Sequence, residues 1–98
     1  MLTGKCREDF EKWLDKQKDT SNELYVLSQL FNIIPISAQF GVYVDFFESK
    51  EIYVETYYAA KETYEIIINE NGYSLCKTRQ EAIKQAILKA NSIYNESK

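Results

Sequence analysis

The sequence predicts an α+β fold: N-terminal helices, a three-stranded antiparallel meander and a long C-terminal helix, in the order ααα-βββ-α. Three observations carry that prediction. Apolar residues recur at three- and four-residue intervals over residues 2–17 and again over residues 82–94, the spacing of one helix face. Residues 52–77 switch to the two-residue alternation of strands. Within them stands Asn71-Gly72, the strongest short-range hairpin signal.

Composition supports one globular domain over residues 1–98. The chain is 45% hydrophobic and 28% charged, with three Gly and one Pro, so it has the apolar side chains that disordered chains lack. A domain of this size buries about 60–65% of its unfolded surface, enough for one core and little spare cavity. Eight Tyr and five Phe add large rings, and the tyrosine hydroxyls need partners or water.

Taken in order, Thr3 is placed to cap a first helix, with Leu2, Cys6, Phe10, Trp13, Leu14 and Gln17 on one stripe. Arg7, Glu8, Glu11, Lys12 and Asp15 turn to water. Residues 16–22, KQKDTSN, contain no apolar residue and end the helix. Ser21 or Asn22 then caps a shorter second helix carrying Leu24, Leu27, Leu30 and Phe31. Pro35 pushes Ile34 out of helical geometry and suits the first turn of a third helix.

Residues 35–58 hold the densest apolar and aromatic run and are expected to organise the fold. On a helix, Ile36, Phe40, Tyr43, Val44 and Phe47 share a face, and Ala38, Val42 and Phe46 form a second strip. Ser37, Asp45, Glu48 and Ser49 make the polar sector. A strand over residues 40–46 is the competing reading, because Phe40, Val42, Val44 and Phe46 also alternate. Its opposite face, Gly41, Tyr43, Asp45 and Phe47, is neither clearly wet nor clearly buried, so helix is preferred.

In the first strand Ile52, Val54, Thr56 and Tyr58 oppose Tyr53, Glu55 and Tyr57. The second strand, residues 63–69, turns Tyr64, Ile66 and Ile68 one way. The third, residues 73–77, is expected to turn Tyr73 and Leu75 inward. The other sheet face then collects Tyr53, Glu55, Tyr57, Glu65, Ile67, Ser74 and Cys76. Thr78 to Glu81, TRQE, is a capping box. The helix it opens carries Ala82, Ile83, Ala86, Ile87, Ala90, Ile93 and Tyr94 inward, with Leu88 nearly opposite.

Three blocks together resemble small uncharacterised proteins of Bacteroidetes-type bacteria and their phages and prophages: TGK near the start, PISAQFGVYVDFFES in the middle and KTRQEAIKQAILKANSIYN at the end. That group pairs an LPxSxQxGVxVDFFDS-like block with a TRQEAxxxAIxKA-like terminal helix. Here Ile34 replaces the leucine before Pro35, Glu48 replaces the second aspartate, and Lys50-Glu51 stand where a small residue and glycine often end the helix. The resemblance implies a helical middle block and a phage or mobile-element context. It implies no activity and no catalytic residue.

The chemistry is bounded mainly by what is missing. With no histidine, the commonest general base and metal ligand are absent. There is no phosphate-cradling glycine loop or nucleophile elbow. Asp45 and Glu48, at i and i+3 with Ser37 nearby, are a solvated helix face before they are a cation or acid–base site. Cys6 and Cys76 have no metal or redox spacing and read as reduced packing thiols. No catalytic, cofactor-binding or metal residue is assigned, and the chain is read as non-enzymatic.

Net charge is −3, which disfavours a partner recognised through phosphates. The charge is uneven: residues 45–76 carry two bases and seven acids, residues 77–98 five bases and two acids. Tyr53, Glu55, Tyr57, Glu65 and Ile67 form the candidate partner surface, and tyrosines rimmed by acids suit another protein. A covering first helix is the plain structural alternative for that face. The alternative partner is nucleic acid, through Lys77, Arg79, Lys84 and Lys89 and a double-stranded-RNA-binding-like element order. No run approaches the ~18 apolar residues of a membrane span, and the first residues lack a signal-peptide core. A cytoplasmic protein with no membrane partner is expected, its oligomeric state left open.

Overall fold

A computed structural model describes residues 1–17, 31 and 33–97. The described elements are α1 (Gly4–Gln17), α2 (Ile36–Ser49), β1 (Val54–Ala60), β2 (Thr63–Ile68), β3 (Asn71–Cys76) and α3 (Arg79–Ser97). The order is α+β, as the sequence predicts. The short helix expected around residues 22–31 lies outside the described residues. The strands form one antiparallel sheet in the order β1-β2-β3.

Residues 40–47 are helical, which settles the alternative of a fourth strand. Pro35, at φ −60, precedes the first turn of α2, and its carbonyl accepts from the Ala38 and Gln39 amides. Gln39 in turn donates to the carbonyls of Phe31 and Ile34, tying the approaching chain to the helix start. At the other end Ile52 N–H bonds the Phe47 carbonyl and Glu51 N–H that of Glu48. Those two bonds are a Schellman motif, and Glu51 takes the left-handed φ of 62° that glycine usually supplies there. The helix therefore ends in a glycine-type cap without a glycine.

The core gathers Val42, Tyr43, Phe46 and Phe47 of α2, Cys6 and Phe10 of α1, Val54, Ile66 and Ile68 of the sheet, and the alanine and isoleucine stripe of α3. Aromatic contacts bind the helices: Phe46 meets Phe10 edge-on at 5.3 Å and lies 5.7 Å from Tyr94. Ala38, expected in an apolar strip, is exposed, because burial on α2 centres four residues later. The helix that touches every other described element is α3, which packs against all three strands, α1 and α2. Its Ala82, Ala86 and Ala90 are fully buried and let neighbouring backbones approach closely. The centre of the fold is thus α3 rather than residues 35–58 alone.

Two hairpin details differ from the sequence reading. The β2–β3 turn is Asn69-Glu70, with φ of 51° and 71°, and Ile68 pairs with Asn71. Asn71 and Gly72 are therefore strand residues. Asn69 fixes this arrangement: its N–H donates to the Tyr53 carbonyl while its side-chain oxygen accepts from Tyr53 N–H.

The second difference is a bulge. Glu65 pairs with Leu75 but Ile67 with Gly72, so two residues of β3 oppose Ile66. One extra residue inverts the alternation beyond it. Leu75, expected inside, is 67% exposed, while Cys76, expected on the other face, is buried. Tyr73 lies at the inner edge, half covered by Lys89, whose Nζ sits 4.9 Å from the ring centre.

Candidate interaction face

One face of the sheet packs on α3, and α2 leans on β1. Among the described residues no helix crosses the other face: α1 touches α2 and α3 and none of the strands. The first helix therefore does not supply the cover that was the plain alternative for this face. Strand alternation and register decide what it presents. Glu55 lies beside Ile67 and Tyr57 beside Glu65 on adjacent strands, and Glu65 neighbours Leu75 on the third.

All five residues of the candidate surface, Tyr53, Glu55, Tyr57, Glu65 and Ile67, are brought together there. Tyr53 and Tyr57 are 53% and 45% exposed. Leu75 joins them and was missed, because nothing in the sequence marks the bulge that turns it outward. Cys76 leaves the set for the core.

The face is ordered by its own polar contacts. Tyr57 Oη donates to Glu65 Oε2 at 2.8 Å. A Cβ added at Gly72 would stand 2.8 Å from Glu65 Oε1, so the absent side chain leaves room for that carboxylate. The hydrogen bond to Glu65, followed by burial and the charges of Glu65 and Glu55, raises the Tyr57 pKa. The phenol stays a donor at neutral pH. At the hairpin end, Glu51, Tyr53, Glu55, Ile67, Asn69 and Glu70 line a shallow groove of about 490 Å³. Three carboxylates around a tyrosine and an isoleucine make an acidic rim on an amphipathic floor.

The four basic residues are not gathered in the same way. Arg79 lines a groove between α2 and β1, whereas Lys89 covers Tyr73 at the β3 edge. At about 100° per residue, Lys84 and Lys89 stand about 140° apart around α3. Lys77 precedes the helix and is exposed.

Asp45 and Glu48 are exposed on α2. Among the described residues no three Cys, Asp or Glu side chains come together as a metal-holding group. Both cysteines are free and buried. Burial, followed by the Asp9 charge, pushes the Cys6 thiol up to about 12; burial and then Glu81 raise Cys76. Neither is an activated nucleophile. No described helix is long and apolar enough to cross a membrane.

Comparison with protein-family models, with curated proteins and with solved structures finds no match for this chain.

Proposed function

We propose that the chain is a small non-enzymatic binding module whose open sheet face recognises another protein. The observation that carries the reading is the sheet face that no other described element covers, with Tyr53, Tyr57 and Leu75 exposed beside Glu55 and Glu65. Tyrosines supply contact area at low entropic cost, and anchors of this kind dominate the energetics of protein interfaces. The acidic rim selects the partner: a segment bearing Arg or Lys beside apolar or aromatic side chains. A polyanion would meet like charge across the same surface. The resemblance of the three sequence blocks to small bacterial and phage proteins supports a phage or mobile-element setting.

Peptide display against the immobilised chain tests this. Selected peptides are expected to be rich in basic and aromatic residues. They should bind a Tyr53→Ala/Leu75→Ala variant roughly tenfold or more weakly, and a Leu88→Ala variant as well as the parent. Peptides indifferent to the first pair of changes would overturn the assignment. So would salt-sensitive binding of RNA or DNA lost on replacing Lys77, Arg79 and Lys84, which would move recognition to the basic residues.

A further inference from the structure

The sheet has two edges, and they are unequal. β3 carries the bulge and Gly72, which spoil a regular ladder. β1 keeps an unbroken register with β2 from Val54 to Tyr58, and its irregularity falls only at the far end, between Tyr58 and Ala60. Its sequence, VETYYAA, contains neither the lysine nor the proline that commonly protects an edge. Tyr53 turns its N–H and carbonyl toward Asn69. Antiparallel alternation then turns the backbone groups of Val54, Thr56 and Tyr58 to the outer edge. Among the described residues no strand meets them.

Beside that edge, Phe40, Gly41, Val44 and Asp45 of α2 border a groove of about 440 Å³ whose other wall is residues 54–57, with Arg79 of α3 also lining it. Phe40 and Val44 are half-buried, and Gly41 is exposed. Glycine weakens a helix interior, yet a Cβ here would meet nothing within 4 Å. Among the described residues nothing accounts for its absence. A helix that approaches from outside would.

We infer that the β1 edge and the Phe40–Gly41–Val44 strip together form a two-fold interface with a second copy of this chain. β1 pairs antiparallel with its symmetry mate, and the two α2 helices meet beneath the joined six-stranded sheet. The charge pattern selects the register. An axis at Glu55 sets two carboxylates directly opposite, which is unfavourable. An axis at Tyr57 pairs Val54 with Ala60 of the mate, past the irregularity that interrupts the β1 ladder between Tyr58 and Ala60. An axis at Thr56 pairs Thr56 with itself, Val54 with Tyr58 of the mate, and Glu55 with Tyr57 of the mate. In that last pair each Glu55 faces an aromatic side chain of the mate and not a second carboxylate. A strand edge is self-complementary under such an axis, and the tyrosine face stays open on the assembled sheet.

Sedimentation equilibrium on the full chain tests the inference. The parent is expected to approach twice the 11.5 kDa monomer mass as concentration rises. Thr56→Lys and Thr56→Glu should each sediment as monomers, and an equimolar mixture should regain the dimer, because only opposite charges then face each other. Gly41→Lys, at a position open in the monomer, should retain its circular dichroism spectrum and lose association. A parent that stays monomeric at every concentration would overturn the inference, even if it captured an unrelated strand. So would a dimer indifferent to Gly41→Lys.

Discussion

Two asparagines explain why the first and last turns of this chain belong together. Asn91 is the buried polar residue of α3, and its amide accepts from Thr3 N–H and donates to Thr3 Oγ1. One turn later Asn95 accepts from Cys6 N–H and donates to the Thr3 carbonyl. Thr3 was expected to cap α1 with its own hydroxyl. The cap at the Cys6 amide comes instead from Asn95, 89 positions away, and the hydroxyl serves Asn91. Gly4 fits this junction twice over, with φ of +60° and only 3.3 Å between its missing Cβ and the Asn95 amide. Tyr94 adds a hydrogen bond to Asp9, which Lys5 also contacts at 3.2 Å. The Tyr94 bond, then Lys5, holds Asp9 below its ordinary pKa, while burial and then Asp9 raise that of Tyr94. A lowered carboxylate stabilises above its unfolded value and loses that contribution as pH falls; a raised phenol stabilises below its unfolded value and loses it as pH rises. Tyr94→Phe should therefore lower Tm at pH 7, with the gap to the parent narrowing below about pH 4 and above about pH 10. A gap constant across thermal scans over that range would refute the coupling.

At the scale of elements, what was readable depended on whether a rule is local. The Thr78 cap of α3 is a four-residue pattern, and Thr78 Oγ1 does accept from Glu81 N–H at 3.1 Å. The α1 stripe of Leu2, Cys6 and Phe10 is equally local, and all three are buried. Strand parity is not local. It held through β1 and β2 and failed in β3, where a bulge set by pairing with Ile66 exchanged Leu75 and Cys76. The turn moved from Asn71-Gly72 to Asn69-Glu70 for a similar reason: Asn69 closes the ladder onto Tyr53, a contact made 16 residues away. The end of α2 offers a test of local strain. Glu51 holds a left-handed φ in a Schellman motif, a conformation that costs a non-glycine residue about 1–2 kcal/mol. Part of that is offset by the greater unfolded-state entropy of glycine. Glu51→Gly should stabilise the domain by about 0.5–1 kcal/mol, read as a higher urea midpoint at unchanged slope. A lower midpoint would mean that Glu51 makes contacts worth more than its strain.

At the scale of the whole molecule, α3 is the hub among the described elements, and the sheet it supports has one dry face and one face that no other described element covers. Sequence reasoning assembled five of the six open-face residues named here, because strand alternation alone places Tyr53, Glu55, Tyr57, Glu65 and Ile67 together. It could not show that α1 packs on the helices instead of crossing the sheet, since that depends on the asparagine junction with α3. The acidic bias of residues 45–76 gathers at this face and its hairpin end, through Glu51, Glu55, Glu65 and Glu70. The central claim is that the face is free to receive a partner. Hydroxyl-radical footprinting of the isolated chain, read residue by residue, measures this directly. Tyr53, Tyr57 and Leu75 should react fast while Tyr43, Phe46 and Tyr94, all buried, are protected. Protection of Tyr53, Tyr57 and Leu75 at the level of the core rings would contradict the account, because the face would then already be covered.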